Sequence, residues 1–388
     1  MTGPCSAIPN APGRVGRYRL EHVLGLGAMG VVYKARDPQT RRAVAVKRIR
    51  KYLLVGPDRD QVLKRFRVEA AAGQRLKHPN IVAVMDCGDQ DGMHYIVMEY
   101  IRGKSLRDYL REGRQFTSFE ALAILQQVLS ALAHAHGLGV IHRDVTPGNI
   151  FLDTLGQVRL MDFGIARIDA SCMTLTAMVV GTPAYMAPEQ CIGVDVDHRA
   201  DLFAAGAVFY HLLTGQRPFD APTIMTTMHK LLKEAPVVPS KLNSKVPPVF
   251  DKLINRALAK NPKHRYQSAR EFTDELKAVA RRLHSGPSKL TGRLEDWREH
   301  WRKPRVLGST FALALGLGVL SVYWSYDKGG TVTVTDEGRV YAASSTALTP
   351  VPNENRIEDP AKSARAEEIA RLEATIRRLR ENMNQGVN

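Results

Sequence analysis

Asp144, Asn149 and Asp162 place two carboxylates and an amide within 19 residues, in Ile141-His142-Arg143-Asp144, then Pro147, Asn149 and Ile150-Phe151, then Asp162-Phe163-Gly164. Such a group offers an acceptor for a hydroxyl proton and hard oxygen ligands for Mg2+, the combination that phosphoryl transfer requires. Lys47, at the end of Val44-Ala45-Val46-Lys47, brings an ammonium that can meet phosphate oxygens, and Glu69 in FRVEAAAGQRL is a suitable counter-charge. Taken alone, Glu69 would read as half of a surface salt bridge. Upstream runs Leu24-Gly25-Leu26-Gly27-Ala28-Met29-Gly30-Val31-Val32. A lone GxGxxG is a weak signal, because dinucleotide-binding folds carry it between a strand and a helix. Here Val31, Val32 and Tyr33 continue as a strand. The glycines then form a hairpin whose backbone N–H groups can approach phosphates without obstruction by Cβ atoms.

These groups need elements to position them. The alternating runs YRLEHVLG, GVVYKAR and AVAVKRI predict antiparallel strands early in the chain. Later, FEALAILQQVLSALAHAHGLG and ADLFAAGAVFYHLLTG carry apolar residues at helical spacing and end at glycine. Strands first and helices afterwards predict an α+β fold, a small antiparallel β lobe joined to a larger α-helical lobe.

A further cluster, GTPAYMAPE at residues 181–189, completes an ordered series: Gly loop, VAVK, HRD, DFG and APE. Over residues 18–283 this series resembles the eukaryotic-type serine/threonine protein kinase family in its bacterial, single-pass transmembrane form. The resemblance implies the two-lobed kinase fold and a set of roles. Leu24 through Val32 would cover ATP, and Lys47, paired with Glu69, would bind its phosphates. Met98, Glu99, Tyr100 and Ile101 would form the hinge, with Glu99 and Ile101 at the adenine. Asp144 would orient the acceptor hydroxyl and take its proton; Asn149 and Asp162 would hold Mg2+, with Mn2+ as an alternative ion. Glu189 would pair with Arg265, Asp201 would support the HRD backbone, and His142 would be architectural. Thr182 and Pro147 favour Ser/Thr over Tyr acceptors. Arg143 would receive a phosphorylated activation loop, for which Thr174 and Thr176 are the candidates.

One residue departs from the family pattern. Position 146 is Thr where HRDxKPxN has Lys, which removes a charge that neutralises the transferring phosphoryl group. The expectation is a kinase of proteins, itself included, with reduced activity. The alternative is a nucleotide-binding pseudokinase scaffold. A small-molecule phosphotransferase of similar fold is disfavoured by GTPAYMAPE, which in the family holds an extended peptide.

The chain has 388 residues, 44% hydrophobic, with a formal net charge of +16. That composition excludes disorder from end to end. The four cysteines, Cys5, Cys87, Cys172 and Cys191, show no CxxC or regular spacing, which argues against a disulfide framework or zinc ribbon and fits a reducing compartment. A nucleic-acid role would rest on net charge alone, and none is expected. Residues 1–17 read as a flexible tail without the apolar run of a signal peptide. Residues 306–326 carry no charged side chain, and 21 residues at about 1.5 Å each match a hydrocarbon core of about 30 Å. This stretch is expected to cross the cell (inner) membrane. The basic segment 284–305 before it outweighs the two bases that follow, which places the kinase domain in the cytoplasm, near lipid headgroups, and residues 327–388 outside. Residues 327–360 read as a linker, and 361–385 as an amphipathic helix whose short heptad seam is compatible with a coiled coil. Gly308, Ala312 and Gly316 add a small-residue face to the membrane segment, and together these features motivate a homodimer.

Overall fold

The computed structural model describes residues 13–27, 30–50, 59–90, 92–163, 183–193, 196–285, 332–334 and 340–342. The chain divides into two compact units, with residues 303–367 forming the second. Among the described residues no helix is long and apolar enough to cross a membrane. The stretch 306–326 and the helix expected at 361–385 lie outside the described residues.

In the first unit, strands β1 (Arg14–Val15), β2 (Tyr18–Leu26), β3 (Gly30–Arg36), β4 (Ala43–Ile49), β5 (Val84–Gln90) and β6 (Met93–Glu99) form one antiparallel sheet in the order β1-β2-β3-β4-β6-β5. Strand geometry sends successive side chains to opposite faces, so this sheet has two apolar faces and two cores. Tyr18, Leu20, Tyr33, Ala35, Val44, Val46 and Val97 fill one. Ala45, Ile49, Ile96 and Met98 fill the other, covered by Val62, Leu63, Phe66 and Ala70 of helix α1 (Arg59–Arg75). Gly73 lets α1 approach the sheet, because a Cβ there would collide with Val84. The fold begins earlier than the sequence indicates: Arg14 and Val15, read as part of the tail, pair with β2, and Val15 is buried. A two-residue strand is too short to show a period.

After β6 come β7 (Gly103–Ser105) and helix α2 (Leu106–Arg111), then helix α3 (Ser118–Gly137). Thr117-Ser-Phe-Glu120 is a capping box: the Thr117 hydroxyl accepts from the Glu120 amide, and the Glu120 carboxylate accepts from the Thr117 amide. Strands β8 (Ile150–Asp153) and β9 (Val158–Leu160) join β7 in a small sheet that carries the Asp144–Asp162 region. Beneath lies a helical core in which α3 packs against helices Arg199–Thr214 and Ala269–Ser285. Helix Arg199–Thr214 is apolar on all sides, as its central place requires.

The buried ion pair of this lobe is bidentate. Arg265, 1% exposed, donates Nη1 to Glu189 Oε1 at 2.6 Å and Nη2 to Glu189 Oε2 at 2.8 Å. It also donates to the carbonyls of Ala259 and Lys260, and its guanidinium lies 4.8 Å from the centroid of the Phe203 ring. In the second unit, Val332–Val334 pairs antiparallel with Val340–Ala342, so a hairpin falls within the stretch read as a linker. Its signal, β-branched and aromatic residues around Asp336-Glu337-Gly338, is legible but short.

Arg265→Met is expected to lower unfolding stability by about 3–5 kcal/mol, because it strands the buried Glu189 carboxylate. Urea denaturation beside the wild-type chain measures it, and a loss below about 1 kcal/mol would show that the pair contributes little.

Candidate active site

Lys47 shares strand parity with Ala45 and Ile49, so its side chain leaves β4 on the face that α1 covers. Glu69 comes down from α1 to meet it. The ammonium Nζ lies 2.7 Å from Glu69 Oε1 and 3.0 Å from Asp162 Oδ1, and the Lys47 and Glu69 side chains are each 11% exposed. Burial opposes charge on Lys47, but Asp162 and then Glu69 outweigh it and hold the ammonium pKa above the ordinary amine range. Burial pushes Glu69 upward, against the pull of Lys47.

The segment that carries Asp144 is irregular and is held by side chains. Asp201, 1% exposed, accepts the backbone N–H of His142 at 2.8 Å and of Arg143 at 2.7 Å, and His136 Nε2 donates to it at 2.8 Å. Gln190 caps the other side of the turn by donating to the Arg143 carbonyl. These bonds stabilise Arg143 at φ 63°, a left-handed conformation that costs a non-glycine residue about 1–3 kcal/mol. Asp162 is likewise left-handed, at φ 55°.

His142 is fully buried, and its ring centroid lies 4.5 Å from that of Phe163 with the planes tilted by 43°. Its Nδ1 accepts the Asp144 N–H at 3.2 Å, which leaves Nε2 to donate to the Met161 carbonyl at 3.0 Å. Asn149 donates Nδ2 to the Asp144 carbonyl at 2.9 Å and to Asp144 Oδ2 at 2.8 Å. Its own carbonyl accepts the Met161 N–H at 3.0 Å. Asp144, Asn149, Met161 and Asp162 are thus linked by hydrogen bonds and backbone into one unit, and Lys47 joins it to the sheet lobe. Lobe contact continues at Arg159, whose Nη2 lies 3.4 Å from Glu99 Oε1, and at Asn80, whose amide donates to the Val158 carbonyl.

The predicted nucleotide-facing residues divide. Val32 and Ile101 pack with Ala45, Met98 and Met161 at the edge of the inner core, which gathers an apolar surface beside Lys47. Val31 packs with the opposite core, and Leu26, its register partner, is exposed. Strand alternation therefore separates this pair from Val32, a distinction the Gly-loop pattern does not draw. Leu24 is exposed at an irregularity in the β2–β3 register. Gly30 is required by packing, since a Cβ there would stand 2.5 Å from the Arg48 carbonyl oxygen. At Gly25 a Cβ would meet nothing within 4 Å, and at Gly27 only the Gly30 carbonyl oxygen at 3.6 Å. Among the described residues packing gives no reason for those two glycines. Ala28, Met29, Thr174 and Thr176 lie outside the described residues.

Sequence reasoning missed His136, the third partner of Asp201, and Asn80, which ties the segment before β5 to β9. Neither has a local signal, because their partners lie 65 and 78 residues away.

Comparison with known proteins agrees with this arrangement. Residues 18–276 match the protein kinase domain family. A probable serine/threonine-protein kinase of Streptomyces coelicolor is 42% identical over 272 residues, covering 68% of this chain and 40% of the relative. The serine/threonine-protein kinase pkn3 of Myxococcus xanthus is 40% identical over 286 residues, covering 70% of this chain and 52% of its own. The serine/threonine-protein kinase PknB of Mycobacterium leprae is 40% identical over 276 residues, covering 70% and 43% respectively. The chain therefore spans about half or less of the length of these relatives. With the match reaching from β2 into the last helix of the helical lobe, this chain belongs to the protein kinase domain family.

Proposed function

We propose that the chain is an ATP-dependent serine/threonine protein kinase that transfers the γ-phosphoryl of ATP to Ser/Thr hydroxyls of proteins. The observation that carries this reading is the Lys47 ammonium, held by Glu69 and Asp162 next to the hydrogen-bonded Asp144–Asn149 pair. Relatives named as serine/threonine kinases support transfer over a nucleotide-binding scaffold.

In this reading Lys47 neutralises phosphate oxygens of the bound nucleotide. Asp144, its carboxylate oriented by Asn149, receives the acceptor's hydroxyl proton as the new O–P bond forms and the bond to the β-phosphate oxygen breaks. The donor set fits a hard divalent ion. Asn149 Nδ2 is committed to Asp144, which leaves its Oδ1 to coordinate, and Asp162 contributes carboxylate oxygen. Among the described residues no group of three or more His, Cys, Asp or Glu is placed to hold a metal ion. When bound, such an ion would screen the negative charge of the phosphates.

Two extensions belong to the same proposal. Residues 306–326 anchor the kinase domain on the cytoplasmic face of the cell membrane, and Thr174 and Thr176 are phosphorylated by the enzyme itself, in a dimer that brings two copies together. The charge asymmetry around the apolar stretch and the position of the threonines between DFG and APE support them.

Asp144→Asn and Lys47→Met are expected to cut transfer of labelled phosphate from ATP by about 10²-fold or more; retention of wild-type rates by Asp144→Asn would remove the catalytic assignment. Thr146→Lys is expected to raise kcat on the order of tenfold by restoring one charge-assisted contact, and an unchanged kcat would show that Thr146 is no handicap. In spheroplasts expressing the full chain, external protease is expected to digest residues 327–388 and spare the kinase domain. Recovery of the chain in the wash after carbonate treatment would exclude the anchor.

A further inference from the structure

A cleft of about 870 Å³ is lined by Arg107, Arg111, Asp144, Tyr185, Met186 and Arg217, among others. We infer that this cleft selects protein substrates with acidic side chains flanking the Ser/Thr acceptor. The inference rests on the kinase reading above and specifies its substrate class.

Charge is the first observation. Arg107, Arg111, Arg143 and Arg217 line the cleft against two carboxylates, Asp144 and Asp220. Asp144 is engaged by Asn149 and faces the acceptor. Asp220 is already matched, its Oδ1 lying 3.5 Å from Arg217 Nη1. Among the described residues neither Arg107 nor Arg111 forms an ion pair with Asp144 or Asp220, the two carboxylates of the cleft. Both residues are exposed.

Placement is the second. Arg107 and Arg111 are four residues apart on α2, hence on one face of the helix. The start of α2 is rigid: Ser105 and Asp108 form a capping box, and the Arg107 N–H donates to the Pro147 carbonyl at 3.0 Å, which ties the helix to the Asp144 loop. Gly148 then matters by what it lacks. A Cβ there would stand 3.3 Å from the Arg107 Cζ and Nη1 atoms, so the guanidinium lies against the bare backbone of the loop between Asp144 and Asn149. A larger residue at 148 would push it away. The guanidinium is therefore next to the place where an acceptor's neighbours must pass, and a planar fork there suits carboxylate oxygens.

The test uses the purified full-length chain with ATP, Mg2+ and three peptides that share one Thr acceptor flanked by Glu, by Gln or by Lys. The Glu peptide is expected to exceed the Lys peptide in kcat/KM by about tenfold or more, the ratio equivalent to ~1.4 kcal/mol, and the ratio should shrink as salt rises. The double variant Arg107→Glu with Arg111→Glu is expected to invert the preference, a result that misfolding cannot produce. Equal use of the Glu and Lys peptides, or a preference for Glu that survives the double reversal, would overturn the inference while leaving the kinase reading intact. Transfer to none of the three would count against the kinase reading itself and carry this inference down with it.

Discussion

One ammonium joins the two lobes. Lys47 reaches Glu69, 22 residues away on a helix, and Asp162, 115 residues away at the end of the small sheet of the helical lobe. An ammonium buried to this degree is costly unless paired, and the two carboxylates would repel each other without it. Each of the three charges is tolerable in place because of the others. Movement of α1 or of the Asp162 segment would leave charge unmatched, so the position of the site and the positions of the elements are energetically one matter.

The helical lobe applies the same logic to a backbone. The Asp144 segment has no ladder of its own, so its N–H groups need other partners. Asp201 supplies them from the first turn of helix Arg199–Thr214, and with His136 and Gln190 it holds Arg143 in a conformation that a non-glycine residue rarely adopts. Of the three left-handed non-glycine residues among those described, Arg41, Arg143 and Asp162, the last two lie at the groups that would handle the phosphoryl group and its metal. Removal of the Lys at position 146 leaves this scaffold intact, because Thr146 is part of the cleft wall and its carbonyl simply receives the Asn149 N–H. The departure is a matter of charge and not of shape. It leaves Arg107, Arg111, Arg143 and Arg217 as the arginines that line the cleft.

Much of this was readable from residue order. The alternation in AVAVKRI shows which side of its strand Lys47 leaves, and the spacing of HRD, Asn149 and DFG groups the oxygens that a divalent ion would need. The capping box at Thr117–Glu120 and the glycines that end α3 and helix Arg199–Thr214 are local chemistry, so local sequence announces them. Other features were not readable. The β1 strand is two residues long, and Val31 and Val32 look equivalent in a Gly-loop pattern although they belong to different cores.

Sequence by itself determined the inventory: which groups could bear charge, accept a proton or ligate a metal, and the period of the element that carries each. Short-range physics suffices for that, since strand alternation, helix spacing and caps act over a few residues. Only the tertiary structure decided who meets whom. It brought His136 to Asp201, laid Arg107 across the bare backbone of Gly148, and gave two left-handed residues the partners that stabilise them. Those pairings span distances along the chain at which no pattern persists, and they exist because burying a charge or a backbone N–H obliges the fold to supply its partner.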